Sequence, residues 1–370
     1  MPVPPSRSPR RETAITTIAH PAPTRVTVGV DTHNDVHVAS ANDSLGRRLA
    51  TTLIPTTPAG YQQLLVWARG LGEVDAFGVE GTGSYGAGLT RFLRAQGQVV
   101  VEVNRPDRQA RRRNGKSDPV DAQAAARSVQ AGEATTAPKA GTGTVEMLRA
   151  LRVARATAVK ARTQAINATK ALLVTAPAEL REQLRGLSAA RLVRAAAALD
   201  PGKLTTPTAA TMLALRTLAQ RHQALDAEIT TLSTELDRLT AKAAPGLVAL
   251  VGVGPDSAGA LLLAAGDNPD RLRSDAAFAM LCGASPIEAS SGKTVRHRLN
   301  RGGDRQANAA LYRIVLSRLR YDQQTKDYMA RRTKEGKSKR EIIRCLKRYV
   351  AREVFAVLNH MAQDDLTTPA

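Results

Sequence analysis

From about Thr208 to Lys242 the apolar residues recur in heptad pairs: Leu215/Leu218, His222/Leu225, Ile229/Leu232 and Leu236/Leu239. A segment of that length with one narrow apolar seam folds only as a long helix, and the seam needs a second helix to cover it. Val145 to Val174 offers one. Leu151, Ala154, Ala158, Ala161, Ala165, Ala168 and Leu172 form a seam of small residues, while Arg149, Arg152, Arg155, Lys160, Arg162 and Lys170 lie mostly off it. The two helices can pack on each other or on a second subunit. His222 reads as a tolerated polar seam residue.

Ahead of these helices the pattern has period two. Arg25 to Asp31 alternates in β-branched residues and ends on an acid, and Val36–Ala39 and Arg47–Leu53 can follow as antiparallel strands with a turn at Asn42, Asp43 and Gly46. Pro58 to Gly70 has helical spacing through Tyr61, Leu64, Leu65 and Ala68. Asp75 to Glu80 is a strand ending on a second acid. Residues 87 to 96 are predicted helical, and Gln98 to Val103 is another strand. Three strands followed by strand–helix alternation predict a mixed sheet flanked by helices, so the fold class is α/β followed by all-α. Gly81 to Gly86 lacks the Lys-Ser/Thr of a nucleotide loop and reads as a turn beside Glu80.

Gly115-Lys116-Ser117-Asp118-Pro119-Val120-Asp121-Ala122 opens the next helix. Asp118 suits the cap and Pro119 the first helical position. Asp118 and Asp121 then share one face and can hold a cation together, although Asp-x-x-Asp before an Ala-rich run also serves plain capping. Asp31 and Glu80, each ending a strand, are the other two candidates. Four converging acids repel unless divalent cations lie between them, and two hard cations suit attack on a phosphodiester.

Lys plus Arg number 53 against 33 Asp plus Glu, a formal net charge of +20. Self-repulsion makes such an excess costly, and a polyanionic partner accounts for it. No apolar run of about 20 residues is present to span a bilayer, which favours nucleic acid over a membrane. Residues 1–23 read as a disordered basic tail with no signal-peptide segment. Cys282 and Cys345 are too few for a disulfide framework or a zinc site, which fits a reducing interior. Gly132 to Gly143, with Pro138, reads as a linker. Leu250 to Pro255, leading into a helix over 256–265, resembles a helix–hairpin–helix element that points amides at phosphate. Leu272 to Leu281 is a short helix. Beyond it, basic residues run densely from Lys293 to Arg348, with Tyr312, Tyr321, Tyr328 and Tyr349 interleaved.

Five stretches together resemble the DEDD transposases of the insertion-sequence-110 family, relatives of the Piv invertase. They are VGVDTH (28–33), GVEGTGSYG (78–86), VEVNRPDRQARRRNGKSDPVDAQAAA (101–126), ALVGVGPDSAGALLLAAGD (249–267) and CGASPIEASSGKTVRHRLNRGGDRQANAAL (282–311). The resemblance implies an RNase H-like, RuvC-type catalytic domain over 24–135, with Asp31, Glu80, Asp118 and Asp121 holding Mg2+ or Mn2+. It further implies a coiled-coil helical domain over 145–243 and a C-terminal transposase domain over 247–360 with a nucleophilic serine. Ser291 is the choice for that serine, with Ser290 its rival. Lys116, Lys293, Arg296, Arg298, Arg301 and Arg305 are the candidate nucleic-acid contacts, and Arg296, His297 and Arg298 can neutralise phosphate charge. The stretch from Asn300 to Arg305 departs from the Ser-Lys-x-Gly-Asn form common in the family. Implied partners are donor and target DNA, a bridge RNA and further copies of the chain in a dimer or tetramer, in the bacterial cytoplasm and nucleoid-associated on DNA. The alternatives are a metal-dependent Holliday-junction-type endonuclease and a non-enzymatic nucleic-acid-binding scaffold.

Overall fold

The computed structural model describes residues 24–103, 117–268 and 271–367, with side chains described to residue 360. The chain divides into two compact units, residues 1–138 and 139–370.

The first unit is built on β1 (Arg25–Thr32), β2 (Val36–Asp43), β3 (Arg48–Pro55), β4 (Glu73–Glu80) and β5 (Val100–Val103), with helices α1 (Pro58–Leu71), α2 (Ala87–Ala95) and α3 (Asp118–Gln130). The five strands form one sheet in the order β3-β2-β1-β4-β5. β1, β2 and β3 pair antiparallel, whereas β4 joins β1 and β5 joins β4 in parallel. Alternation along the central strands sorts the two faces. Val26, Val28, Val30, Phe77 and Val79 pack with Leu64, Leu65, Leu89 and Leu93 of α1 and α2. Gly29, Asp31, Gly78 and Glu80 fall on the opposite face, where α3 presents the buried Ala122, Ala125 and Ala126.

The expected elements are present, with shifted ends. β2 runs on to Asp43, so the turn begins there: its Oδ1 accepts from the amides of Leu45 (3.0 Å) and Arg47 (2.9 Å), and Gly46 takes φ +75. β5 starts at Val100 because Gln98 still bonds back to Leu93 at the end of α2. α3 is capped one residue earlier than expected. Ser117, with φ −148 and ψ 146, is the N-cap, and both Asp118 and Asp121 lie in the first turn.

The second unit is helical: α4 (Thr144–Val174), α5 (Ala178–Leu184), α6 (Ala189–Ala197), α7 (Pro207–Ala243), α8 (Pro245–Val248), α9 (Pro255–Ala265) and α10 (Asp275–Leu281) come first. A two-residue ribbon, β6 (Ile287–Glu288) and β7 (His297–Arg298), precedes α11 (Arg305–Tyr321), α12 (Gln323–Lys334) and α13 (Lys339–Thr367). The long helices α4 and α7 pack on each other and run antiparallel, since Arg155 meets Ser233 and Arg162 meets Asp226. Leu215, Ile229, Leu236 and Leu239 of the expected seam are buried, while Leu218, His222, Leu225 and Leu232 are half-buried. On α4 the seam passes through Thr169 rather than the exposed Ala168, because 3.6 residues per turn drifts off a strict heptad. The Thr169 hydroxyl is satisfied by donating to Ala165 O at 2.9 Å.

A short helix, α8, and α9 flank the glycine turn read as a helix–hairpin–helix element, with Gly252 at φ +77. The first turn of α9 carries Asp256, whose carboxylate is held by Arg152 (2.9 Å) and Arg155 (3.6 Å) of α4 and Arg313 (2.9 Å) of α11. The positive end of that helix is thus complemented by the chain's own acid. No described helix is long and apolar enough to cross a membrane.

Candidate metal centre and serine hairpin

β1 and β4 are parallel neighbours with Gly29 opposite Gly78 and Val30 opposite Val79. The next step along each strand places Asp31 beside Glu80. The strand ends are tied together, since Thr32 Oγ1 donates to Glu80 O at 3.0 Å. α3 can lie directly on this part of the sheet because glycine occupies both strands beneath it. A Cβ on Gly78 would meet Val129 Cγ2 at 2.7 Å and Ala125 O at 3.0 Å. That close seating brings the first turn of α3 over the strand ends.

Three ligand atoms gather there, one each from Asp31, His33 and Asp118, all within 4.8 Å of one another. His33 Nε2 lies 3.2 Å from Asp31 Oδ2 and 3.6 Å from Asp118 Oδ2. Burial raises the Asp31 pKa above its usual range; His33 pulls it back, and the negative charges of Asp121 and Asp118 push it up again. Asp121 is only 2% exposed. Of the four expected acids, then, Asp31 and Asp118 stand in the compact group. Asp121 acts on Asp31 through its charge, and Glu80 ends the adjoining strand.

His33 is the residue that sequence reasoning passed over. Its only signal is its place two residues after Asp31, a spacing that returns a side chain to the same side of extended backbone. Its own backbone N–H donates to Nδ1 of His37 at 3.3 Å. His37 is fully buried and stacks on Tyr61 with ring centroids 5.9 Å apart. Because its Nδ1 accepts, His37 is the neutral Nε2–H tautomer, and burial first, then His33, lowers its pKa.

In the second unit, Ser290 and Ser291 sit on the hairpin that closes β6 and β7. Ser291 and Thr294 exchange both backbone bonds at 3.1 Å around Gly292, which takes φ +57. The Ser290 hydroxyl is committed to the hairpin, accepting from Arg296 N at 3.1 Å. The Ser291 hydroxyl is exposed at the tip and makes no hydrogen bond among the described residues. Lys293, Arg296, Arg298, Arg301 and Arg305 are all exposed, and none has an ion pair among the described residues. Lys116 lies outside the described residues.

Two family models match the chain. That of the IS110-type DEDD transposases covers residues 28–176, and that of the transposase IS116/IS110/IS902 family covers residues 246–330. The chain belongs to the IS110 transposase family. No curated protein matches it. An IS110-family transposase binds DNA, and the family implies cleavage and rejoining of DNA strands. The first match begins at Val28, in the strand that carries Asp31, and includes α3 with Asp118 and Asp121. The second includes both hairpin serines.

DEDD transposases typically depend on metal, and the donor set of this transposase fits a divalent cation. Two carboxylates and an imidazole converge with their ligand atoms close to the ~4 Å that separates opposite ligands around Mg2+. Burial first, and then the charges of Asp121 and Asp118, raise the Asp31 pKa, and a nearby cation would offset both. The positive end of α3 favours the same carboxylates in their charged form.

Proposed function

We propose that this transposase is a bridge-RNA-guided recombinase in which Ser291 is the nucleophile and Asp31, Glu80, Asp118 and Asp121 hold Mg2+ or Mn2+. The observation that carries the metal assignment is the convergence of Asp31, His33 and Asp118 beside the buried Asp121. A bound cation pair supplies charge neutralisation at the scissile phosphate. The Ser291 hydroxyl oxygen attacks phosphorus, forming a phosphoserine ester, while one bridging ester oxygen departs and takes a proton as a DNA hydroxyl. Attack of a DNA hydroxyl on that ester reverses the bookkeeping and rejoins a strand. Arg296, His297 and Arg298 lie beside Ser291 on the hairpin and offset the phosphate charge.

The finer architecture belongs to the same reading. The order β3-β2-β1-β4-β5, with only β2 and its neighbours antiparallel, supports an RNase H-like, RuvC-type fold for residues 24–135. The antiparallel pairing of α4 and α7 supports a coiled-coil domain over 145–243, and the helices beyond it support a transposase domain over 247–360. The basic surface, with Lys116, Lys293, Arg301 and Arg305, suits DNA and a guide RNA. The working form is a dimer or tetramer in the bacterial cytoplasm, associated with the nucleoid when on DNA.

A suicide DNA substrate run on a denaturing gel tests this. The expected result is a protein–DNA adduct that disappears in Ser291→Ala and in Asp118→Ala, together with a discrete RNA that co-purifies and is required for strand exchange. A second reading, a Holliday-junction-type endonuclease using water, draws on the His33 imidazole beside Asp31; cleavage without an adduct selects it. Strand exchange unchanged in Asp118→Ala and Asp121→Ala overturns the catalytic assignment of these acids; absence of any cleavage or exchange by the wild type, with nucleic-acid binding kept, selects the scaffold.

A further inference from the structure

Where the serine hairpin returns to the body of the second unit, residues 297–301 form one wall of a cleft of about 930 Å³, whose lining is completed by residues 283–286, Asn308, Lys337 and side chains of α12 and α13. Its charge is lopsided. Arg298, Arg301 and Arg344 line it without an ion pair among the described residues. Lys347 reaches into it half-buried, its amine donating to Asn308 Oδ1 at 2.8 Å. Burial first, and then the charge of Arg344, lowers the Lys347 pKa. Glu341 is the single acid on the lining, and it is already engaged by the amide (2.9 Å) and hydroxyl (2.6 Å) of Ser338. Cations this crowded and this poorly neutralised call for an anion of more than one charge.

The aromatic side chains say which anion. Tyr349, 46% exposed on the lining, is held edge-on by Tyr328 with centroids 5.6 Å apart and planes at 83°. The Tyr328 ring is covered by the guanidiniums of Arg331 and Arg332, 5.4 and 5.9 Å from its centroid. An open phenol ring beside a row of cations matches a nucleobase and its phosphates. A duplex keeps its bases stacked inside and cannot offer one to a ring in a cleft. The size of the cleft is far beyond what an inorganic anion fills.

We propose that this cleft is a single-strand subsite. An unpaired nucleotide of DNA or RNA enters it, with its base on Tyr349 and the adjoining phosphates on Arg298, Arg301 and Arg344. From Ser291 to the β6–β7 pairing is three residues, on the order of 10 Å of extended chain. A strand seated in the cleft therefore continues naturally toward the hairpin tip. The inference deepens the recombinase reading, and its choice of nucleic acid rests on that reading.

The test is fluorescence anisotropy on the full chain in EDTA, with labelled oligothymidylate, oligouridylate and a duplex of equal length. Tyr349→Ala is expected to weaken both single strands about tenfold and leave the duplex unchanged. Tyr349→Phe should bind as wild type, and Arg344→Gln should flatten the slope of log affinity against log salt by ~0.7 on single strands. Tighter binding of the RNA or of the DNA arm supports the subsite and names its source. Unchanged single-strand affinity in a folded Tyr349→Ala protein overturns it, as does equal loss on all three probes. Should that variant not fold, photocrosslinking of an iodouridine oligonucleotide to wild type decides: adducts on the Tyr349 peptide support the subsite, and adducts only elsewhere overturn it. Because binding is read without metal or chemistry, a Ser291→Ala protein that keeps both its adduct and its single-strand preference removes the serine assignment and leaves the cleft standing.

Discussion

A methyl group on Gly29 would lie 2.0 Å from the carbonyl oxygen of Ala122 and 2.3 Å from the amide of Ala126. Backbone cannot yield at that distance, so α3 holds its place over β1 only because position 29 has no side chain. Gly29→Ala is expected to cost about 1–3 kcal/mol by overpacking, or more if α3 lifts, and to weaken Mn2+ binding by displacing Asp118. Gly70→Ala is the control. Nothing lies within 4 Å of its added methyl, and in a helix it should be neutral or stabilising by ~0.5–1 kcal/mol. Urea denaturation with Mn2+ titration measures both.

His33 makes the metal preference testable. An imidazole added to carboxylates favours the later first-row metals over Mg2+. His33→Ala is expected to lose Ni2+ affinity by several-fold while Mg2+ affinity changes less. Asp118→Ala should lose both. Titration calorimetry with each metal gives the comparison, and equal losses for the two metals in His33→Ala would show that the histidine is a bystander.

The buried neutral His37 sets a pH dependence of stability. Its folded pKa is below the usual 6.5, so as pH falls through 6.5 the unfolded chain takes up a proton that the folded chain refuses. Stability is therefore full above pH 6.5 and declines below it, by at most ~1.4 kcal/mol per pH unit for one group. His37→Phe, which keeps a ring against Tyr61, should show a shallower decline between pH 6.5 and 5 in chemical denaturation.

The two hairpin serines are separable. Ser290→Ala removes the hydroxyl that accepts from Arg296 N, so it should loosen the hairpin and lower adduct yield in part. Ser291→Ala removes no hydrogen bond and should abolish the adduct with no change in melting temperature. Full loss in Ser290→Ala with retention in Ser291→Ala would exchange the roles.

For the basic second unit, affinity for duplex DNA should fall ~10³-fold between 50 and 200 mM salt if about six phosphates are contacted. Filter binding across that range checks it; a flat response would contradict a phosphate-dominated interface.

Much of the first unit was legible because period-two patterning and strand-ending acids are local signals. Asp31 and Glu80 could each be placed at a strand end, and Asp118 and Asp121 in one helical turn, from spacing alone; that the two strands are parallel neighbours is set by the sheet. The cap of α3 moved from Asp118 to Ser117 because either short polar residue before Pro119 can end the extended segment. His33 was not legible, since its value depends on where α3 comes to rest, which two glycines on separate strands determine. The net charge counts the excess of cations but not which of them are free to meet a partner. Arg152, Arg155 and Arg313 are spent on Asp256, and Arg348 and Arg352 on Asp275. A sequence shows how many cations exist and not how many are already answered.

The ribbon that bears Ser291 has only two residues in each strand, and every residue from Glu288 to Leu299 is exposed. So short a pair of strands has no core of its own and is barely stable in water by itself. The hydroxyl at its tip has no packing of its own to fix its aim, and in the proposed recombinase a strand leaning on the ribbon would supply it. If Ser291 is the nucleophile proposed above, such an arrangement would work as a safety catch, leaving the hydroxyl nothing to brace against until a strand is gripped.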